Sequence, residues 1–170
     1  MEEMFERCEN LKNIPLLNTS NVTNMQGFFL NCENLKEIPL LNTSNVTNMV
    51  NIFFGCKSLK TIPLLDTCNV TNMHGMFENC KNLITIPLLN TKNVKTMERM
   101  FIRCQNLNAE PEINMSNVVR TVDMYKGCIT IVKNEIELEN KKIKEKELKD
   151  EKDVLKELNN ATIDLPNISF

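Results

Sequence analysis

The chain has 170 residues, 42% of them hydrophobic and 25% charged, with a formal net charge of -2. That length predicts one domain with an appendage. The near-balance of charge sets aside a nucleic-acid backbone or an anionic membrane as the main partner, because both want an excess of Lys and Arg. No apolar run is long enough to span a bilayer, so no membrane insertion is expected.

From its first residues the chain enters a repeat. Only Met1, Glu2 and Glu3 precede it, and no signal peptide is visible. Phe5, Phe29, Phe53, Phe77, Phe101 and Tyr125 follow one another at a step of 24 residues. Pro15, Pro39, Pro63, Pro87 and Pro111 keep the same step, as do Val22, Val46, Val70, Val94 and Val118. A fixed period of this length is the signature of a stacked repeat architecture. Such a chain offers extended surface rather than a catalytic pocket, so binding is the expected role.

The units serve as alignments of one another. In the first, Met4, Phe5, Cys8, Leu11, Ile14, Leu16, Leu17, Val22 and Met25 are the positions that stay apolar. Leu11, Ile14 and Leu16 give the front half of a leucine-rich-repeat pattern, with its short strand around the last two. Pro15 stands between them and cannot donate to a ladder, which predicts one missing backbone bond per interface. Val22, Met25, Phe28, Phe29 and Cys32 then form a helical stripe, with Ser20 or Asn21 as its cap. The predicted fold is an α/β solenoid: leucine-rich-repeat-like coils of 24 residues, each a short parallel strand plus a short helix, followed by a charged C-terminal helix.

Strand alternation with Leu16 inward turns Leu17 outward. Leu17, Leu41, Leu65, Leu89 and Ile113 would then form an exposed apolar stripe, the predicted binding face. The competing reading is that the Pro bends the chain and buries both leucines. Asn21, Asn45, Asn69, Asn93 and Asn117 predict a buried ladder that bonds backbone groups in the turn.

Cys8, Cys32, Cys56, Cys80, Cys104 and Cys128 share one phase of the repeat. Stacked units place neighbouring thiols near disulfide range, but side chains in a ladder point the same way. A ladder of buried free thiols is the expected state, with disulfides and metal as the alternatives. A zinc site needs ligands converging on one point rather than spread along an axis. Cys68, in the phase of Ser20 and Ser44, is expected to be more exposed. No cofactor motif is present. His74 is the only His, at a phase that varies freely. Nothing resembles a nucleophile site, so no enzyme activity is expected.

A repeat array needs caps at both ends. At the C-terminal side the pattern decays: Met124, Tyr125 and Cys128 keep phase, but Asn134 and Glu135 replace the Ile and Pro types. No N-terminal cap is apparent. Either the chain is part of a longer array, or its first unit pairs with another molecule, or Met1 to Cys8 folds as a small lid. From Lys133 the sequence becomes densely charged with the two signs nearly cancelling, and Glu137–Lys141 and Glu145–Lys149 have helix-favouring spacing. The expected domains are therefore a repeat array over 1–132, a helix over 133–159 and an irregular tail over 160–170. The apolar positions of the helix hold no heptad. It is read as a solvated helix, with an oligomerisation stalk or docking helix as the sharper alternative. Self-association is thus expected at the open first unit or at this helix.

The units C-x-x-L-x-x-I-P-L-L-N-T-S-N-V-T-N-M, followed by M/F-F-x-x-C, resemble those of the BspA-like leucine-rich-repeat surface proteins. These are close to the Treponema-type and mycoplasma lipoprotein-type repeats. The resemblance runs from residue 4 to about 128. It implies a right-handed solenoid displayed at a microbial cell surface, non-enzymatic, and used in adhesion to host matrix proteins or other cells. Similar repeats occur in phage tail-associated proteins, which gives the alternative of an assembly component docking through its C-terminal helix, in the cytoplasm or in a virion. The family has no shared catalytic residues, and its ligand contacts are not fixed by motif. The partner is expected to be a protein.

Overall fold

The computed structural model describes residues 1–108 and 110–161. Met1–Val132 forms one compact body, and the chain from Lys133 onward belongs to a second.

In the first body each 24-residue unit is bonded to the next by a regular set of backbone links. Met25 N–H donates to Asn48 O (3.0 Å), Gly27 to Val50 (2.9 Å), Phe29 to Ile52 (2.9 Å) and Asn31 to Phe54 (2.7 Å). The same four links recur from Met49, Asn51, Phe53 and Gly55, and again from Met73, Gly75, Phe77 and Asn79. Isolated parallel bridges join Asn24 to Asn48, Asn48 to Asn72, Asn72 to Thr96 and Thr96 to Arg120.

The segment Val22–Cys32 is a run of turns, not the expected helix. Alternate N–H groups cross to the next unit, and those between bond back three residues: Phe28 to Met25 O (3.2 Å), Leu30 to Gly27 O (2.9 Å), Cys32 to Phe29 O (3.1 Å). The cause is backbone handedness. Gly27 (φ +60°) and Asn31 (φ +58°) are left-handed, as are Asn51, Gly55, Gly75 and Asn79 at the same two phases. An L-residue helix cannot pass through such positions, whereas Gly and Asn adopt them most readily.

The segment around Ile14–Leu16 is likewise not a strand. Backbone links between units are few here among the described residues, such as Lys36 N–H to Lys12 O (3.2 Å) and Ile84 N–H to Lys60 O (2.9 Å). The absent donor at each Pro accounts for this.

The core lies between these two walls. The rings of Phe5, Phe29, Phe53, Phe77, Phe101 and Tyr125 form a continuous stack, with centroids 5.4–5.7 Å apart and planes within 12°. Phe29, Phe53, Phe77 and Phe101 are completely buried, together with Met25, Met49, Met73 and Met97. Leu35, Ile38 and Leu41 line the opposite wall at a step of three, a pattern repeated by Leu59, Ile62 and Leu65. Among the described residues no buried side-chain nitrogen or oxygen lacks a hydrogen-bond partner.

The α-helix α1 spans Ile129–Ala161. It starts before the expected boundary, so Asn134 and Glu135 of the predicted cap lie on helical backbone; the placement of their side chains is outside the described residues. The predicted tail beyond Ala161 is also outside them. Among the described residues, α1 carries the ion pairs Lys141–Glu145 (3.9 Å) and Lys142–Glu139 (3.8 Å), both well exposed. Pairs of this kind add little stability. Ile136, Leu138, Ile143, Leu148, Val154 and Leu155 are each about half exposed.

Candidate binding face

The structure inverts the predicted leucine stripe. Leu41, Leu65 and Leu89 are buried, and Leu17 and Ile113 pack partly buried against the core. The exposed row is one residue earlier: Leu16, Leu40, Leu64 and Leu88 are 62–77% exposed, and Glu112 holds their phase in the fifth unit. Proline explains the shift. A chain held by Pro near the polyproline geometry repeats every three residues rather than two. Ile14 and Leu17 then share the inner side, and Pro15 and Leu16 are turned out.

This row forms a ridge with notches between its members. One of about 380 Å³ is flanked by Leu40, Leu64, Asn42 and Asp66. The next, of about 400 Å³, is flanked by Leu64, Leu88, Asp66 and Asn90. A cleft of about 300 Å³ between the fourth and fifth units is lined by Ile84, Pro87, Leu88, Asn108, Pro111 and Glu112, among others. The phase of Ile84 and the phase of Leu88 therefore border one surface.

Polar ladders fix the turn that follows the ridge. Asn45, Asn69, Asn93 and Asn117 donate through Nδ2 to the carbonyls of Ser20, Ser44, Cys68 and Lys92 at 2.6–2.7 Å. The Asn ladder thus bonds the backbone, but its residues, Asn21 included, are exposed rather than buried. The buried polar ladder is Thr19, Thr43, Thr67 and Thr91, whose Oγ1 donates to Asn42 O, Asp66 O, Asn90 O and Asn114 O at 2.8–2.9 Å. Its signal in the sequence was a Thr held at one phase through four units. Asn18, Asn42, Asp66, Asn90 and Asn114 accept the N–H two residues on, the Asx-turn geometry.

The cysteine row is a ladder of free thiols. Each Sγ donates to a phenylalanine carbonyl: Cys32 to Phe5, Cys56 to Phe29, Cys80 to Phe53, Cys104 to Phe77 and Cys128 to Phe101, at 2.9–3.2 Å. Burial pushes the Cys32 and Cys128 thiols up to about 11. It also raises Cys56, Cys80 and Cys104 well above the ordinary thiol value. Cys8, at the first unit, is exposed and Cys68 half-exposed. The Asp66 carboxylate beside Cys68 raises that thiol, while the bond from the Cys68 N–H holds Asp66 below the usual carboxylate range.

A model of the family described as Mycoplasma protein of unknown function, DUF285, matches residues 1–85 and again residues 60–164. The chain belongs to the DUF285 family. The two DUF285 matches overlap, as a single repeated pattern read in more than one register allows, and the second continues into α1. Neither a curated protein nor a solved structure gives a match. Among the described residues of this DUF285 chain, no group of three or more His, Cys, Asp or Glu is placed to hold a metal ion. Its His74 Nδ1 lies 3.5 Å from Glu98 of the next unit. No described helix is long and apolar enough to cross a membrane.

Proposed function

We propose that this DUF285 chain is a non-enzymatic protein-binding module, built as a leucine-rich-repeat-like solenoid and displayed at a microbial surface for adhesion. The observation that carries this reading is the ridge of Leu16, Leu40, Leu64 and Leu88, flanked by the proline row. Four large aliphatic side chains held in line by the repeat leave apolar surface in water, and contiguous surface of that kind marks contact sites. The inward thiols, by contrast, are hydrogen-bonded and held neutral by burial, a setting that suppresses thiolate chemistry. The resemblance to BspA-like surface proteins and the DUF285 membership support display at a cell surface.

The test replaces Leu40 and Leu64 together with Ser. Both side chains are more than half exposed, so the melting temperature is expected to stay within about 2 °C of wild type. Binding to immobilised host matrix proteins is expected to fall about tenfold or more, measured by surface plasmon resonance across a panel of such proteins. Unchanged binding to a protein that the wild type captures would remove the ridge from the account.

A further inference from the structure

The ridge is bordered by charge of opposite sign at its two ends. Lys12, in the first unit, is exposed, as are Glu110 and Glu112 in the fifth. None of the three takes part in an ion pair among the described residues. The second and third units are close to neutral along the same border. In the second, exposed Lys36 stands beside exposed Glu37. In the third, exposed Lys60 is matched by exposed Asp66; in the fourth the phase of Lys12 carries Ile84, and one exposed cation, Lys92, stands two residues beyond Asn90. Along the units, the face carries the Lys12 cation at its first end and the Glu110 and Glu112 carboxylates at its last, with the apolar ridge between.

Such a pattern is its own complement when reversed. A two-fold axis through the third unit sets the first unit of one copy against the fifth of the other, and the second against the fourth. An interface of this kind is isologous, with one patch serving both partners. Leu64 would meet its own counterpart, Leu40 would meet Leu88, Leu16 would lie beside the second copy's Glu112, and the Lys12 ammonium would approach that copy's Glu110 and Glu112. Neighbouring rings stand about 5.6 Å apart along the stack, so the first and fifth units lie about equally far on either side of the third. Copies packed in the same direction would instead put Lys12 beside Lys12 and Glu112 beside Glu112, a repulsive arrangement.

We propose that a second copy of this chain docks on the ridge, antiparallel, to form a two-fold dimer. This names a partner for the face assigned above and rests on that reading of the ridge as a contact surface. On a cell surface such pairing would be homophilic. The face spans only five units, which places it among small, weak and reversible interfaces.

Sedimentation velocity of the full chain over a concentration series tests this. Wild type is expected to show a reversible monomer–dimer equilibrium that weakens as salt screens the end contacts. Lys12→Glu alone and the double replacement Glu110→Lys/Glu112→Lys are each expected to weaken the dimer about tenfold. An equimolar mixture of the two variants should recover wild-type association, because both end contacts are then again opposite in sign. A wild-type monomer at all concentrations, a dimer indifferent to both variants, or a mixture that fails to recover would each overturn the proposal. A monomer that still loses matrix-protein binding on Leu40→Ser/Leu64→Ser would reject the second copy and keep the ridge. A dimer that binds no matrix protein, yet is lost on Leu40→Ser/Leu64→Ser, would keep the second copy on the ridge and reject matrix proteins as its ligand.

Discussion

Phe53→Ala is expected to lower the unfolding free energy by about 4 kcal/mol, the range for truncating a buried phenylalanine. For a domain of this size that corresponds to a fall of roughly 10 °C in melting temperature. Phe53 is completely buried, with its ring 5.7 Å from that of Phe29 and 5.6 Å from that of Phe77. Its loss leaves a cavity and removes two ring contacts, each worth up to about 1 kcal/mol beyond area burial. The site cannot easily collapse, because the backbone on either side is tied to its neighbours by Phe53 N–H to Met76 O and Phe29 N–H to Ile52 O. Phe5→Ala is the control. Phe5 lies at the edge of the stack and is only partly buried, so its loss is expected to cost about half as much or less. Guanidinium denaturation of both variants checks the ratio; equal costs would mean that the ring row is not a continuous core.

Gly55→Ala is expected to destabilise by about 2 kcal/mol or more. Gly55 has φ +71°, where an L side chain costs about 1–2 kcal/mol. In addition, a methyl group there would overlap Asn31 Oδ1 from the preceding unit. Gly127 separates the two effects. It is also left-handed, with φ +79°, but its added Cβ would sit 3.5 Å from Arg103 Cγ, an ordinary contact. Gly127→Ala is therefore expected to show only the backbone cost of about 1 kcal/mol. The difference between the two variants measures how closely one unit approaches the next. Identical losses would indicate that Gly55 and Asn31 do not meet.

Much of the inward-facing set was legible in the repeat itself. Phe29, Cys32, Leu35, Val46 and Met49 face inward at phases that stay apolar in successive units, because an inward position cannot vary freely. The ridge was not legible in its correct register. Strand alternation turns Leu16 inward and Leu17 outward, whereas Pro15 imposes a three-residue step on its neighbours, which exchanges the exposed row for the buried one. The turn wall was misread for a different reason. The spacing of Val22, Met25, Phe28, Phe29 and Cys32 fits a helix, but a ladder of turns with the same inward positions fits it too. Gly27, Asn31, Asn51, Gly55, Gly75 and Asn79 carry the information that distinguishes them, since all six fall at two fixed phases four residues apart. The Asn21 row was correctly read as bonding the backbone. Its exposure was missed because one side-chain donor aimed at the previous unit suffices without burial. The opposed charges of Lys12 and Glu112 were present in the sequence but acquire meaning only once their phases are known to border one face.

Successive 24-residue units stack with the cysteine row from Cys32 to Cys128 turned inward. Alkylation of the folded chain at pH 8 by iodoacetamide, counted by intact mass and located by peptide mapping, tests it most directly. Burial keeps the Cys32, Cys56, Cys80, Cys104 and Cys128 thiols protonated well above that pH, and the same burial blocks the reagent. The account predicts rapid labelling of Cys8, slower labelling of Cys68 and protection of the other five of the seven cysteines, all of which react once the chain is unfolded in guanidinium. Labelling of the folded chain at Cys56, Cys80 and Cys104 as fast as at Cys8 would contradict it.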